Sequence, residues 1–155
     1  MMSNSFVNTH AQSGAQALFV TDEKVERRAR LEGTWLNIFD VTVPSGCRTP
    51  LHRHASPEIF RIIEGRLTIR RMTDQGLEEF EATAGDIVRI DGDQAHGYSN
   101  PGPETAVFSA IIDSEMAEFF EATGSRDPSR TALSGETMKR VTVVANTDDN
   151  TILAA

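Results

Sequence analysis

The chain has 155 residues, 39% hydrophobic and 25% charged, a length and balance that suit one domain with a substantial core. A formal net charge of -8 argues against nucleic acid or anionic membrane as a partner, because an acidic surface repels phosphate. The single cysteine, Cys47, excludes an intrachain disulfide and fits a reducing compartment.

Residues 1–16 are rich in Ser, Asn, Gln and Ala without periodicity, and a loose arm is expected there. Ala17-Leu18-Phe19-Val20 is too short for a signal-peptide core and follows no basic stretch. No apolar run reaches the length of a membrane span, so a cytoplasmic protein is expected. Residues 24–32 fit one helical turn or a loop, and the run Glu26-Arg27-Arg28-Ala29-Arg30 reads as a solvated face. Trp35, Phe39, Val41 and Val43 share one parity, the period of a half-buried strand, which Pro44-Ser45-Gly46 ends.

Two apolar runs, 59–63 and 66–70, flank Glu64-Gly65 and predict a tight hairpin in which glycine supplies a positive φ. A second hairpin is expected at Asp74-Gln75-Gly76, a strand at 86–90, a turn at Asp91-Gly92-Asp93-Gln94 and a further strand at 105–112. Many short strands without alternating helices indicate a sandwich or barrel. A helix is expected after Asp113, with Ser114 as N-cap, Gly124 as C′ residue and Met116, Phe119, Phe120 and Thr123 on one face that packs on the barrel. Residues 125–133 read as linker; 137–145 fit a helix or an added edge strand, and their β-branched content favours the strand.

The chemistry gathers on the histidines. His52 and His54 stand one residue apart, which on a strand points both imidazoles to one face. Glu58 opens the next strand on the parity of Phe60 and Ile62, where an inward carboxylate is costly unless paired or coordinated. His96 follows the Gly/Asp turn and is placed to close the site. A lone His-x-His on a strand usually means nothing; the addition of Glu58 and His96 makes metal binding the better reading. Three imidazoles and a carboxylate suit iron, manganese, nickel, copper, cobalt or zinc, and the lack of thiolates favours a reactive centre over a structural one.

These residues also spell a family. Gly46, five residues, His52-Arg53-His54, three residues, Glu58, six residues and Gly65 reproduce the first motif of the cupin superfamily, which the chain resembles. Gly85, His96 and Asn100 fall at the matching places of the second motif, with Asp91 where proline is usual and Asp93 where glycine is usual. The resemblance covers roughly residues 34–113. It implies an all-β double-stranded β-helix, or jelly-roll, with a short C-terminal helix and one divalent metal held by His52, His54, Glu58 and His96. Domain limits follow: an arm at 1–16, the barrel and trailing helix at 17–124, and an extension at 125–155 packing on the barrel or on a partner subunit. A homodimer is implied too.

The short spacer between motifs and the Glu118-Phe119-Phe120-Glu121 segment are similar to quercetin-dioxygenase-like bacterial cupins. That resemblance implies a dioxygenase-type oxidoreductase with iron or manganese favoured, acting on a small hydrophobic or aromatic substrate. Glu58 is then both ligand and base, and Tyr98, on the parity of His96, an acid or hydrogen-bond donor; wall packing explains Tyr98 as well. Two alternatives stand beside this reading: a non-redox metal cupin (isomerase, lyase or polyketide-type cyclase) and a non-catalytic small-ligand module. Phe39, Phe60, Ile62, Leu67 and Phe108 are the expected pocket wall and serve equally as core. Arg48 is a candidate anchor for a substrate carboxylate or a surface residue, Asn100 a turn-holding residue, and Cys47 neither ligand nor nucleophile.

Overall fold

A computed structural model describes residues 18–20, 23–123 and 142–145. The strands are β1 (Leu18–Val20), β2 (Glu23–Arg30), β3 (Asn37–Val43), β4 (Leu51–Arg53), β5 (Glu58–Glu64), β6 (Arg66–Thr73), β7 (Gly76–Thr83), β8 (Ile87–Ile90), β9 (His96–Ser99) and β10 (Ala106–Ile112). One helix, α1 (Ser114–Thr123), and an edge strand, β11 (Thr142–Ala145), follow. They form two antiparallel sheets, ordered β1-β2-β3-β10-β5-β8 and β11-β4-β9-β6-β7. The all-β jelly-roll-like architecture with its short helix is as expected.

Alternation builds the core. In β3, Asn37, Phe39, Val41 and Val43 are buried while Ile38, Asp40 and Thr42 lie at the outer face. Its partner β10 alternates in step, with Ala110 opposite Phe39 and Phe108 opposite Val41. Leu67 and Ile69 of β6 and Ile62 of β5 complete an interior that is at most 1% exposed at these three positions. All five expected wall residues, Phe39, Phe60, Ile62, Leu67 and Phe108, belong to this core. Among the described residues no helix is long and apolar enough to cross a membrane.

Four local expectations need correction. Residues 24–32 form neither a helical turn nor a loop: most of the segment is β2, which pairs with β3 from Lys24 opposite Thr42 to Arg30 opposite Asn37. Ladder pairing and the inward Val25 outweigh a charged composition that offers little strand signal of its own. Trp35 is not part of the buried parity; it precedes β3 and is 63% exposed. Glu64-Gly65 does not close a hairpin, because β5 pairs with β10 and β8 whereas β6 pairs with β7 and β9. The chain instead changes sheets there. Gly65 has φ +74°, and a Cβ on it would stand 3.0 Å from the Ala106 Cα and the Thr105 carbonyl oxygen. Finally, the cap of α1 is Asp113 rather than Ser114: its carboxylate accepts the Met116 N–H at 2.9 Å and its carbonyl accepts the Ala117 N–H at 3.0 Å.

The turn at Asp74-Gln75 forms as expected, with Thr73 opposite Gly76. Met116 is buried and Phe119 and Phe120 pack on the core, Phe120 with its ring 5.4 Å from Phe39. The edge strand expected within 137–145 is present at Thr142–Ala145 beside β4. Residues 1–16 and 125–133, Gly124 and the expected segment's first five positions, 137–141, lie outside the described residues.

Candidate metal centre

The antiparallel pairing of β4 with β9 sets His52 directly opposite His96. His54 lies just past the end of β4, where its carbonyl accepts the Asp93 N–H at 2.8 Å and so ties it to the turn before His96. Glu58 enters from the other sheet as the first residue of β5, in register with Ile90 and Ile112. Residues far apart in sequence thus meet between the sheets. The ring centroids are 4.4 Å apart for His52–His96, 5.0 Å for His54–His96 and 5.6 Å for His52–His54. One ligand nitrogen from each of the three lies within 4.8 Å of the others, a candidate site for a single divalent metal.

Hydrogen bonding fixes the tautomers. Each Nδ1 faces a backbone carbonyl two residues away at 2.8 Å: His52 that of Pro50, His54 that of Ser56, His96 that of Gln94. A carbonyl only accepts, so each Nδ1 carries the proton and each neutral ring keeps a lone pair on Nε2. Glu58 Oε2 stands 3.2 Å from His96 Nε2 and 3.5 Å from His54 Nε2. A carboxylate oxygen and an imidazole lone pair at that separation repel unless a cation, either a proton or a metal ion, sits between them. His54, Glu58 and His96 are all at most 7% exposed, so water is poorly placed to relieve this. The donor set therefore fits a divalent transition metal, and the outer carbonyls are the orienting partners such ligands use.

The charge states of the metal-free site follow. Burial, reinforced by the neighbouring His96, lowers His52 to about 3. Burial also opposes charge on His54, but the hydrogen bond and negative charge of Glu58 overcome it and raise its pKa above the usual 6.5. For Glu58 burial acts upward, and hydrogen bonds from His54 and His96 outweigh it, holding the carboxyl well below the usual range. The site is built around positive charge shared between rings and carboxylate.

Tyr98 lies on the inward face of β9, two residues from His96, with its hydroxyl donating to Glu23 Oε2 at 2.5 Å. Burial and the Glu23 charge push this phenol well above its ordinary value. Glu23 was missed by the sequence reading; its one signal there is the shared parity with Val25, which only a strand assignment for β2 would have revealed. Cys47 is buried with Sγ 3.9 Å from Glu23 Oε1, outside the histidine group. Arg48 is exposed and bridges to Ser99 through its backbone. Asn100 holds its turn, donating to the Val43 and Glu104 carbonyls at 3.0 and 2.7 Å and accepting from Gly102 at 3.1 Å. A cavity of about 40 Å³ reaches His54 beneath α1, lined also by Ala55, Ser56, Glu115, Met116 and Phe119.

Comparison with known proteins agrees with this geometry. Residues 39–112 match the family described as the Cupin domain. No curated protein matches the sequence. The polyketide cyclase RemF from Streptomyces resistomycificus is similar in structure, with TM-score 0.57 and 18% identity over 64% of this chain and 73% of that one. The plu4264 protein from Photorhabdus luminescens has TM-score 0.52 and 28% identity over 65% of this chain and 83% of that one. An oxalate decarboxylase from Lactobacillus farciminis has TM-score 0.57 and 19% identity over 65% of this chain, which spans only 31% of that protein. The expectation of a dioxygenase-type oxidoreductase is corrected by these matches, whose named activities are a cyclase and a decarboxylase. A barrel and its ligand set are shared across cupin chemistries, so the residues that suggested oxygen chemistry did not discriminate.

Proposed function

We propose that the cupin domain formed by residues 39–112 is a non-redox metal enzyme, with His52, His54, His96 and Glu58 holding one divalent transition ion. The observation that carries the reading is the commitment of all three Nδ1 protons to backbone carbonyls, which leaves three Nε2 lone pairs and one carboxylate converging in a buried space. When bound there, such an ion supplies Lewis acidity for polarising a substrate oxygen. The substrate class is a small, largely apolar molecule bearing a carbonyl or acidic hydroxyl, and the reaction class is cyclisation, isomerisation or lyase chemistry.

Within that reaction Glu58 is the proton acceptor. The positive charge gathered at the site keeps its carboxyl ionised, so it is ready to take a proton from substrate carbon or oxygen. Phe60, packed against Phe108 at 4.7 Å, walls the site with apolar surface and limits water. A homodimer belongs to the same proposal; light scattering that returns a single-subunit mass would remove it.

The test is proton exchange rather than turnover of a guessed substrate. Zinc-loaded protein in D₂O should exchange the α-protons of a simple 1,3-diketone faster than zinc alone, at equal rates with and without dioxygen. Glu58→Gln should abolish the protein-dependent part. Exchange that required dioxygen, or that survived Glu58→Gln unchanged, would contradict the proposal.

A further inference from the structure

The turn that leads into β9 touches two of the candidate ligands and is itself held by one side chain. Asp91, Gly92 and Asp93 are exposed and Gln94 is half-buried, beside a groove of about 520 Å³. Burial therefore does little to fix this turn, and its shape depends on hydrogen bonds. Gln94 supplies two of them with its side-chain amide: Oε1 accepts the Asp91 N–H at 3.0 Å, and Nε2 donates to the Met72 carbonyl at 2.8 Å. The second bond prolongs the β6–β9 ladder. That ladder ends with Arg71 opposite His96, and the Met72 N–H continues it by donating to the Ala95 carbonyl at 2.7 Å.

The turn reaches the site at two points. The Gln94 carbonyl accepts the His96 Nδ1 proton at 2.8 Å, and the Asp93 N–H donates to the His54 carbonyl at 2.8 Å. Its seat is tight, since a Cβ on Gly92 would stand 2.5 Å from the Ala55 carbonyl oxygen. An imidazole aimed by a carbonyl is only as fixed as the peptide that carries the carbonyl. Asp91 stands where the second cupin motif usually has proline, a residue with a fixed φ and no N–H. Aspartate gives the backbone a freer dihedral and a donor, and Gln94 takes that donor. We propose that Gln94 is a positioning residue: its side chain clamps the turn so that its own carbonyl aims His96 Nε2 at the metal, in place of the rigidity a proline at 91 would give. This rests on the metal reading above.

The experiment uses the full chain and two ions. Zinc gives the affinity, by competition with a chromophoric chelator, and cobalt(II) gives visible d–d bands that report the ligand arrangement. Gln94→Met removes both side-chain bonds while keeping chain length and charge. It should bind zinc about tenfold more weakly than the wild type, the low end for outer partners of metal ligands, because the Gln94 carbonyl survives. Its cobalt bands should shift as well. Gly33→Ala is the control for lost stability: Gly33 has φ +75° in the exposed connection between β2 and β3, so the variant is strained there. Its zinc affinity should stay within about twofold of the wild type, as expected for an independent site. A clamp that only stabilised the fold would leave folded Gln94→Met with the wild-type affinity and spectrum, and that result overturns the proposal while the metal reading stands. Should Gln94→Met not fold, Gln94→Ala decides by the same two readouts. If the wild type binds neither ion, the metal reading fails and this inference falls with it.

Discussion

Gly65→Ala tests the corner at which the chain leaves one sheet for the other. Two costs add there. A φ of +74° places an L-residue in the left-handed region, at about 1–2 kcal/mol. The new Cβ would also stand 3.0 Å from the Ala106 Cα and the Thr105 carbonyl oxygen, backbone atoms that no rotamer change can clear. Overpacking of that kind costs about 1–3 kcal/mol, so the sum is about 2–5 kcal/mol. Gly46→Ala is the matched control: its φ is +77° but nothing lies within 4 Å of the added Cβ, which leaves only the backbone cost. Urea unfolding of both variants in chelator, so that metal binding adds no stability, measures the difference. With m of about 1–3 kcal/mol/M the extra cost of about 1–3 kcal/mol should lower the midpoint of the Gly65 variant by about 0.3–3 M beyond that of the Gly46 variant at similar m. Equal midpoints would refute the argument that β5 and β6 meet at a tight corner packed on β10.

Asp93 is the one described non-glycine residue at positive φ, +60°, at a place where the second cupin motif usually has glycine. Asp93→Gly should keep the bond from this N–H to the His54 carbonyl and be neutral to about 1 kcal/mol stabilising in the same unfolding assay. Proton release reports the charge state of the site. With His54 raised above 6.5 by Glu58, the metal-free ring is more than half protonated at pH 6.5, and zinc must displace that proton. Indicator-dye titration at pH 6.5 should therefore show at least about half a proton released per zinc, fading as pH rises through the raised pKa of His54. No release would contradict the shared-charge account. His52 runs the opposite way: lowered to about 3, it refuses a proton that the unfolded chain accepts below about 6.5, so its contribution to metal-free stability declines as pH falls from there towards 3. Cys47→Ser should leave zinc content unchanged, since Sγ faces Glu23 and not the histidines; lost zinc would place the thiol in the site.

The convergence of the candidate ligands was legible because its determinants are local. His52, His54 and Glu58 sit within seven residues of chain, and His96 is announced by the Gly/Asp turn before it. Tyr98 was visible through parity with His96, but its partner was not: Glu23 is 75 positions away, and only the β2–β3 ladder brings it inward. The same ladder explains why β2 was misread, since its charged residues carry helix and loop signals that tertiary pairing overrides. Glu64-Gly65 was misread for a different reason. A positive-φ glycine between two apolar runs serves a hairpin and an inter-sheet corner alike, and only the partners of β5 and β6 distinguish them. The reaction was least legible, because the side chains that grip a metal do not record which chemistry is done beside it.

The central claim is that His52, His54, Glu58 and His96 form one metal site, and metal stoichiometry by elemental analysis tests it most directly. The wild type and the variants His52→Ala, His54→Ala, His96→Ala and Glu58→Gln are each reconstituted with zinc, desalted in matched buffer and measured. The wild type should hold about one ion per chain and each histidine variant a small fraction of that, with Glu58→Gln between them because the amide oxygen still donates a lone pair. Full occupancy in His96→Ala, or a wild type that retains no transition ion, would contradict the claim.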